Sequence, residues 1–430
     1  MKYEKINAQL FIENRARLIS RLKPNSLAIV QANDIMPTNA DGHMPFKQNA
    51  DLFHLTGVDQ EESILVVFPD SFHAKHKEIL FLKETNEHIA VWEGAKLTKE
   101  QAKEATGIQT VYWLDKFDSV LLTLMSETEN VYLNTNEHLR AHLEVETRGD
   151  RFIKNIKNRF PLHRYDRLAP AMHAIRSVKH PIEVDLSQKA CNITEKGLRR
   201  ILEFVKPGVW EFEIEAEFMH EFMINRSRGF AYQPIVASGA SACVLHYIDN
   251  NQLCKEGDLI LMDVGAEYAN YASDMTRCIP VSGRFSPRQK EVYNAVLRVK
   301  KSAEKLLIPG AMLHEYHIAV GHLMEKELVD LSLISMDDIK NQDPEWPAYK
   351  KYFMHGTSHY LGLDVHDVGS WTKPIEEGMI FTCEPGIYIP EENLGIRIED
   401  DLVVSNQGAP INLMKNIPIE VEEIEDLMNS

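Results

Sequence analysis

Residues 258–281, DLILMDVGAEYANYASDMTRCIPV, place strand-like apolar runs on both sides of a small turn near Tyr268 to Asn270, the pattern of an antiparallel hairpin. Each arm carries one aspartate inside an otherwise apolar strand. In such a ladder the numbers of opposed residues sum to a constant. Asp263 and Asp274 sum to 537, with a midpoint at 268.5 inside the turn, so the spacing predicts two carboxylates nearly opposite each other. Their Cβ atoms would then lie about 5 Å apart. Residues 379–404, MIFTCEPGIYIPEENLGIRIEDDLVV, repeat the device: Glu384 and Glu399 sum to 783, with a midpoint at 391.5 in the PEEN stretch. The longer loop constrains this second register less than the first.

Like charges opposed on a ladder destabilise it. A single acidic pair at a solvent-facing strand edge would need no compensation. Two pairs, each inside an apolar strand, favour bound cations, and two divalent ions would neutralise four carboxylates. A nitrogen ligand is available in FMHGTSHYLGLDVHDVG (353–369), which holds His355, His359 and His366. The run lacks the glutamate of H-E-x-x-H, which disfavours a zincin, and Gly356 disfavours a helix. A strand or loop lining a cleft is expected. His246, in SACVLHYIDN (241–250), reads as a lone histidine in an apolar strand, a position that by itself is more often structural than functional.

Working outward, the chain has 430 residues and a formal charge of −17, from 47 Lys+Arg against 64 Asp+Glu. The length suggests two or three domains. The acidic balance argues against a nucleic-acid partner. With 44% hydrophobic and 26% charged residues the composition is that of a globular protein, not a disordered one. No uncharged apolar run approaches the ~18 residues of a membrane span. The opening MKYEKINAQLFIENRARLISRL has charges throughout and does not read as a secretory signal. Five scattered cysteines, Cys191, Cys243, Cys254, Cys278 and Cys383, form no C-x-x-C pair, which fits idle thiols in a cytoplasmic protein.

Residues 1 to about 170 alternate apolar strands with helical stretches, in SLAIVQAN (26–33), ESILVVFPD (62–70), EILFLKE (78–84) and NVYLNT (130–135), and read as an α/β domain. The Pro-containing segment 166–181 is a plausible boundary, and we divide the chain at 1–172 and 173–430. Beyond it, Leu186, Ala190, Ile193, Gly197, Ile201 and Phe204 hold a helical period up to Pro207-Gly208, and a second helix runs to about Gly229. Later, Ser286-Pro287 predicts a helix start, Val292 to Leu306 hold the same period up to Pro309-Gly310, and a further helix runs to about Leu328. Each helix pair leads into an acidic hairpin. The expected architecture is two related halves with helices outside and sheet inside.

Taken in order, VLHY (244–247), MDVGAEY with SDMTR, HGTSHYLGLDVHDVG, FTCEPGIY and GIRIEDD resemble the pita-bread metallopeptidases, most closely the Xaa-Pro aminopeptidases. The likeness is strong over roughly 176–404. QNADLFHLTGV (48–58) and VWEGAKLT (91–98) resemble, more loosely, the creatinase/prolidase-type N-terminal domain that methionine aminopeptidases lack. The resemblance implies an α/β N-terminal domain followed by a pita-bread catalytic domain, with pseudo-twofold helices around a curved antiparallel sheet. It implies that Asp263, Asp274, His359, Glu384 and Glu399 hold two divalent metal ions, with Asp274 and Glu399 bridging, Asp263 on one ion, and His359 with Glu384 completing the other. Mostly oxygen donors with one imidazole favour Mn²⁺, with Zn²⁺, Co²⁺ or Fe²⁺ as competitors.

The same resemblance gives His246, His355 and His366 positions that contact substrate and stabilise the tetrahedral intermediate, Arg397 a part in proton movement or in holding a carboxylate, and Tyr388 a place beside the site. Cys383 alternates to the face opposite Glu384 and reads as core. The implied reaction is hydrolysis of the bond between an N-terminal residue and a following proline, with a metal-bridging hydroxide as nucleophile. Prolidase shares the fold and the five ligands and stays open as an alternative. So does a non-catalytic pita-bread binding module, although such a module would be expected to lose ligands. Creatinase, which shares the fold without metals, is improbable with the acidic set complete. A homodimer or homotetramer is expected.

Overall fold

The structure, a computed structural model, describes residues 2–430. It forms two compact units, Lys5–Arg176 and Ser177–Ser430, the second also taking in the extreme N-terminus up to Glu4.

In the first unit six strands make one mixed sheet: β1 (Ser26–Gln31), β2 (Ile64–Val67), β3 (Glu78–Leu82), β4 (Thr110–Trp113), β5 (Asn130–Leu133) and β6 (Arg164–Arg167), in the order β4-β3-β2-β1-β5-β6. Because successive side chains point to opposite faces, β1, β2 and β3 each feed two cores. Ala28, Val30, Leu65, Val67, Leu80 and Leu82 pack with Leu18, Leu52 and Leu55 on one side. Leu27, Ile29, Ile64, Val66, Ile79 and Phe81 pack with Leu121, Leu124 and Ile156 on the other. Helices therefore cover both faces, as the near-continuous apolar runs demand.

The second unit begins with the helix Pro181–Phe204, capped by His180 with Pro181 in its first turn. Gly197 sits mid-helix because a Cβ there would fall 2.7 Å from the rings of both Phe218 and Phe222 on the next helix, Glu211–Ile224. That second helix ends at Ile224 and not near Gly229, since Arg226 turns to φ +74°. Ser286 caps the helix Pro287–Glu304 as its sequence predicts, and Leu313–Asp330 follows. Among the described residues no helix is long and apolar enough to cross a membrane, and all five cysteines are free.

Strands β8 (Leu259–Val264), β9 (Glu267–Tyr268), β10 (Tyr271–Ala272) and β11 (Met275–Pro280) build the first acidic hairpin, and β7 (Ile235–Ser238) pairs antiparallel with β8 on its other edge. The hairpin's register differs from the expected one. Asp263 pairs with Thr276, not Asp274, and the β9–β10 tip keeps that same register with Tyr268 opposite Tyr271. The turn is Ala269-Asn270, both at positive φ (+53° and +68°), the geometry of a two-residue loop that matches strand twist. Asp274 is thus the diagonal neighbour of Asp263 on the same face.

The second hairpin holds the predicted register. β12 (Ile380–Cys383) pairs with β15 (Asp400–Val403), and β13 (Gly386–Ile389) pairs with β14 (Leu394–Arg397), so Cys383 lies opposite Asp400 and Gly386 opposite Arg397. A short β16 (Ile411–Asn412) pairs antiparallel with β15 on its other edge. Glu384 and Glu399 fall in the gap between the two ladders, where Pro385 has no N–H to give. Their own backbone N–H groups turn elsewhere: Glu384 N donates to Thr357 O at 2.9 Å and Glu399 N to Thr276 O at 3.1 Å.

Candidate metal centre

These two backbone bonds tie the second hairpin to the histidine-bearing segment on one side and to the first hairpin on the other. The two carboxylate pairs and His359 are thereby brought together. Asp274, His359 and Glu399 are buried and each offers one donor atom, all within 4.8 Å of one another. His359 Nε2 lies 3.4 Å from Asp274 Oδ2 and 3.6 Å from Glu384 Oε1. Its Nδ1 sits 3.0 Å from the Tyr360 carbonyl, which can only accept, so Nδ1 carries the proton and Nε2 presents its lone pair to the cluster.

Several groups orient the carboxylates. Tyr232 Oη lies 2.6 Å from Asp263 Oδ1 and 2.5 Å from Asp274 Oδ1. Thr276 Oγ1 donates to Glu399 Oε2 at 2.6 Å, and Arg397 Nη2 to Asp263 Oδ2 at 2.5 Å. Asp274 N donates to Asp401 Oδ2 at 3.0 Å. Gly265 is required here: a Cβ would meet Ser273 O at 1.8 Å and the Tyr232 ring at 3.2 Å. Asp400 turns the other way, accepting from the fully buried Arg277 at 2.5 Å and from Lys300. Arg277 also donates to the backbone carbonyls of Thr276 and Glu399, fixing the two hairpins against each other.

Burial, and then the neighbouring carboxylates, hold the Asp274 and Glu399 carboxyls well above the usual carboxylate range. Burial pushes Glu384 up to about 7 against the opposing pull of His359 and Arg397. Burial and the Asp263 carboxylate raise the Tyr232 hydroxyl. A cluster of buried carboxylates driven toward their neutral forms, with a lone pair of His359 aimed at it, fits divalent cations: oxygen donors with one imidazole, in excess of the single guanidinium that touches them.

Beside the cluster runs a second chain. Arg397 Nη1 donates to Tyr388 Oη at 2.8 Å, and Tyr388 Oη lies 2.8 Å from His355 Nε2. His355 Nδ1 faces the Gly356 carbonyl at 2.8 Å, so Nε2 accepts from the tyrosine. Burial, and then the Arg397 charge, lower His355 to about 3 and keep the ring neutral. The His366 ring stands edge-on to His359, with centroids 4.4 Å apart. His246 is not in an apolar strand: β7 ends at Ser238, and the residue sits in an exposed turn after the short helical turn Gly239–Cys243. It still adds to the field on His355. Cys383 is buried, between Tyr316 and the Lys300 carbonyl.

Tyr232, Thr276, Asp401 and His317, which accepts from Thr357 N at 3.1 Å, were not legible as site residues. Tyr232 lies in an irregular segment without periodicity. A turn at Ala269-Asn270 sets Thr276 opposite Asp263.

The model of metallopeptidase family M24 matches residues 185–406, and that of the aminopeptidase P N-terminal domain matches residues 11–132. The chain belongs to metallopeptidase family M24, and it is a metal-dependent aminopeptidase. It is similar to the Xaa-Pro aminopeptidases of Haemophilus influenzae (34% identical, 99% of this chain and 98% of that one) and Escherichia coli (33%, 98% and 98%). Among solved structures it is similar to zinc-substituted aminopeptidase P of Escherichia coli in complex with product, with a TM-score of 0.88, 31% identity and 99% of each chain covered.

Proposed function

We propose that this chain hydrolyses the bond between an N-terminal residue and a penultimate proline, and that Asp263, Asp274, His359, Glu384 and Glu399 hold two divalent ions. Mn²⁺ suits the oxygen-rich donor set best. When bound, the ion pair supplies a nucleophilic hydroxide and polarises the scissile carbonyl. The observation that carries the reading is the convergence of two carboxylate pairs, from two hairpins, on the Nε2 lone pair of His359.

The protein's own groups supply the rest. Tyr232, Thr276 and Arg397 hold three of the carboxylates in fixed rotamers, so that little reorganisation accompanies binding. Proline's amide nitrogen carries no hydrogen and must be protonated as it leaves. The Arg397–Tyr388–His355 hydrogen-bonded chain is the group suited to move that proton. His246, His355 and His366 line the substrate side with Tyr388 and Arg397. A homodimer or homotetramer acting on cytoplasmic peptides goes with this reading.

The test compares Mn²⁺-loaded protein on Gly-Pro and on a Gly-Pro-Xaa-Xaa peptide. Release of only the first residue, with preference for the longer peptide, supports the proposal. Preference for the dipeptide favours the prolidase alternative, and cleavage of neither contradicts the specificity for a penultimate proline.

A further inference from the structure

The loop that carries His246 has no ladder of its own. Between Ser238 and Leu259 the chain makes one short helical turn and then runs irregularly, with Val244 and Ile248 exposed by 54% and 46%. It is held from behind by Glu211, the first residue of the helix Glu211–Ile224 and fully buried. Glu211 Oε1 accepts from Ser238 N at 2.7 Å, and Oε2 accepts from Tyr247 Oη at 2.7 Å and from Gln252 N at 2.8 Å. One carboxylate therefore ties the start, the middle and the end of the loop.

Asn250, buried at φ +46°, adds a second anchor. Its amide donates to Pro234 O at 3.0 Å and Glu215 Oε2 at 2.9 Å, and its carbonyl accepts from Val236 N at 2.9 Å. A buried carboxylate with these donors is satisfied only while all of its partners stay in place.

We infer that Glu211 and Tyr247 are positioning residues for His246: the carboxylate and the hydroxyl next to the histidine in the chain fix where the imidazole stands on the substrate side. This rests on the reading that His246 faces substrate. Glu211 touches none of the five metal-facing side chains, so its effect reaches the reaction through the loop.

The experiment is a double-mutant cycle on the full Mn²⁺-loaded chain, with Y247F, E211Q, H246A and the H246A/Y247F pair, assayed on a Gly-Pro-Xaa-Xaa peptide. In the wild-type background Y247F lowers kcat/KM about tenfold with metal content unchanged, and in the H246A background it adds less than about twofold, while Tm falls by a similar amount in both backgrounds. E211Q, whose amide N–H must face one backbone donor, Ser238 N or Gln252 N, costs more than Y247F. An equal loss from Y247F in both backgrounds, or none in the wild type, overturns the brace. Wild-type kcat/KM in H246A overturns it through its premise. Independently of activity, the His246 ring 13C–1H resonance of the metal-free protein shifts in Y247F and E211Q; an unchanged resonance contradicts the inference even if the peptide is cleaved.

Discussion

Arg397 donates to Asp263 Oδ2 at 2.5 Å while its other terminal nitrogen donates to Tyr388 Oη at 2.8 Å, so one guanidinium joins the acidic cluster to the neutral His355. Both arms of the fork are needed for this geometry. Arg397→Lys keeps the charge but presents a single ammonium that cannot hold both partners in plane. The expected outcome is a loss in kcat of about 10²-fold with bound metal retained, checked by steady-state kinetics alongside metal analysis.

Tyr232 lies within hydrogen-bond distance of both Asp263 and Asp274. Removing the hydroxyl leaves two carboxylate oxygens without their orienting partner. Tyr232→Phe should weaken divalent-ion affinity about 10-fold or more, measured by calorimetric titration with Mn²⁺. An unchanged affinity would show that the tyrosine does not orient the carboxylates.

The metal-free protein should become less stable as pH rises. Glu384 sits at about 7 in the fold, above its ordinary 4.5, and Asp274 and Glu399 are raised as well. Between the ordinary carboxylate value and the folded one the native state binds more protons than the unfolded state, so stability falls through that window as pH increases. Melting temperature measured from pH ~5 to ~8 should decline without metal. With Mn²⁺ bound the carboxylates are compensated and the decline should disappear.

Asp400 behaves oppositely. Burial alone would raise it, but the Arg277 and Lys300 charges hold it below the usual carboxylate range. Its contribution is therefore present above the ordinary carboxylate value and lost in acid. Asp400→Ala leaves the buried Arg277 without its carboxylate and Lys300 with Glu304 alone, and should cost about 3–5 kcal/mol in urea unfolding near neutral pH, with or without metal.

Much of this organisation can be read from residues. The N-cap Ser286, the stop at Pro207-Gly208 and the continuous register of the 379–404 hairpin follow from local chemistry and from period-two alternation. The first hairpin misled by one residue at its midpoint, because Ala269 is not a residue expected to take up positive φ and nothing local marks it as a turn position. His246 misled for a different reason: apolar neighbours such as Val244 and Ile248 suggest a strand, whereas the buried Glu211, distant in sequence, holds them in an exposed turn. Tyr232 and Asp401 act through tertiary contacts that no periodicity announces.

The most direct test of the central claim is metal stoichiometry coupled to activity. Chelator-stripped protein should regain cleavage of a Gly-Pro-Xaa-Xaa peptide as Mn²⁺ is restored, saturating at two ions per chain, and Asp263→Ala should bind fewer ions and recover little activity. Full activity of Asp263→Ala after the same removal and readdition, or a plateau without bound metal, would contradict the two-ion account.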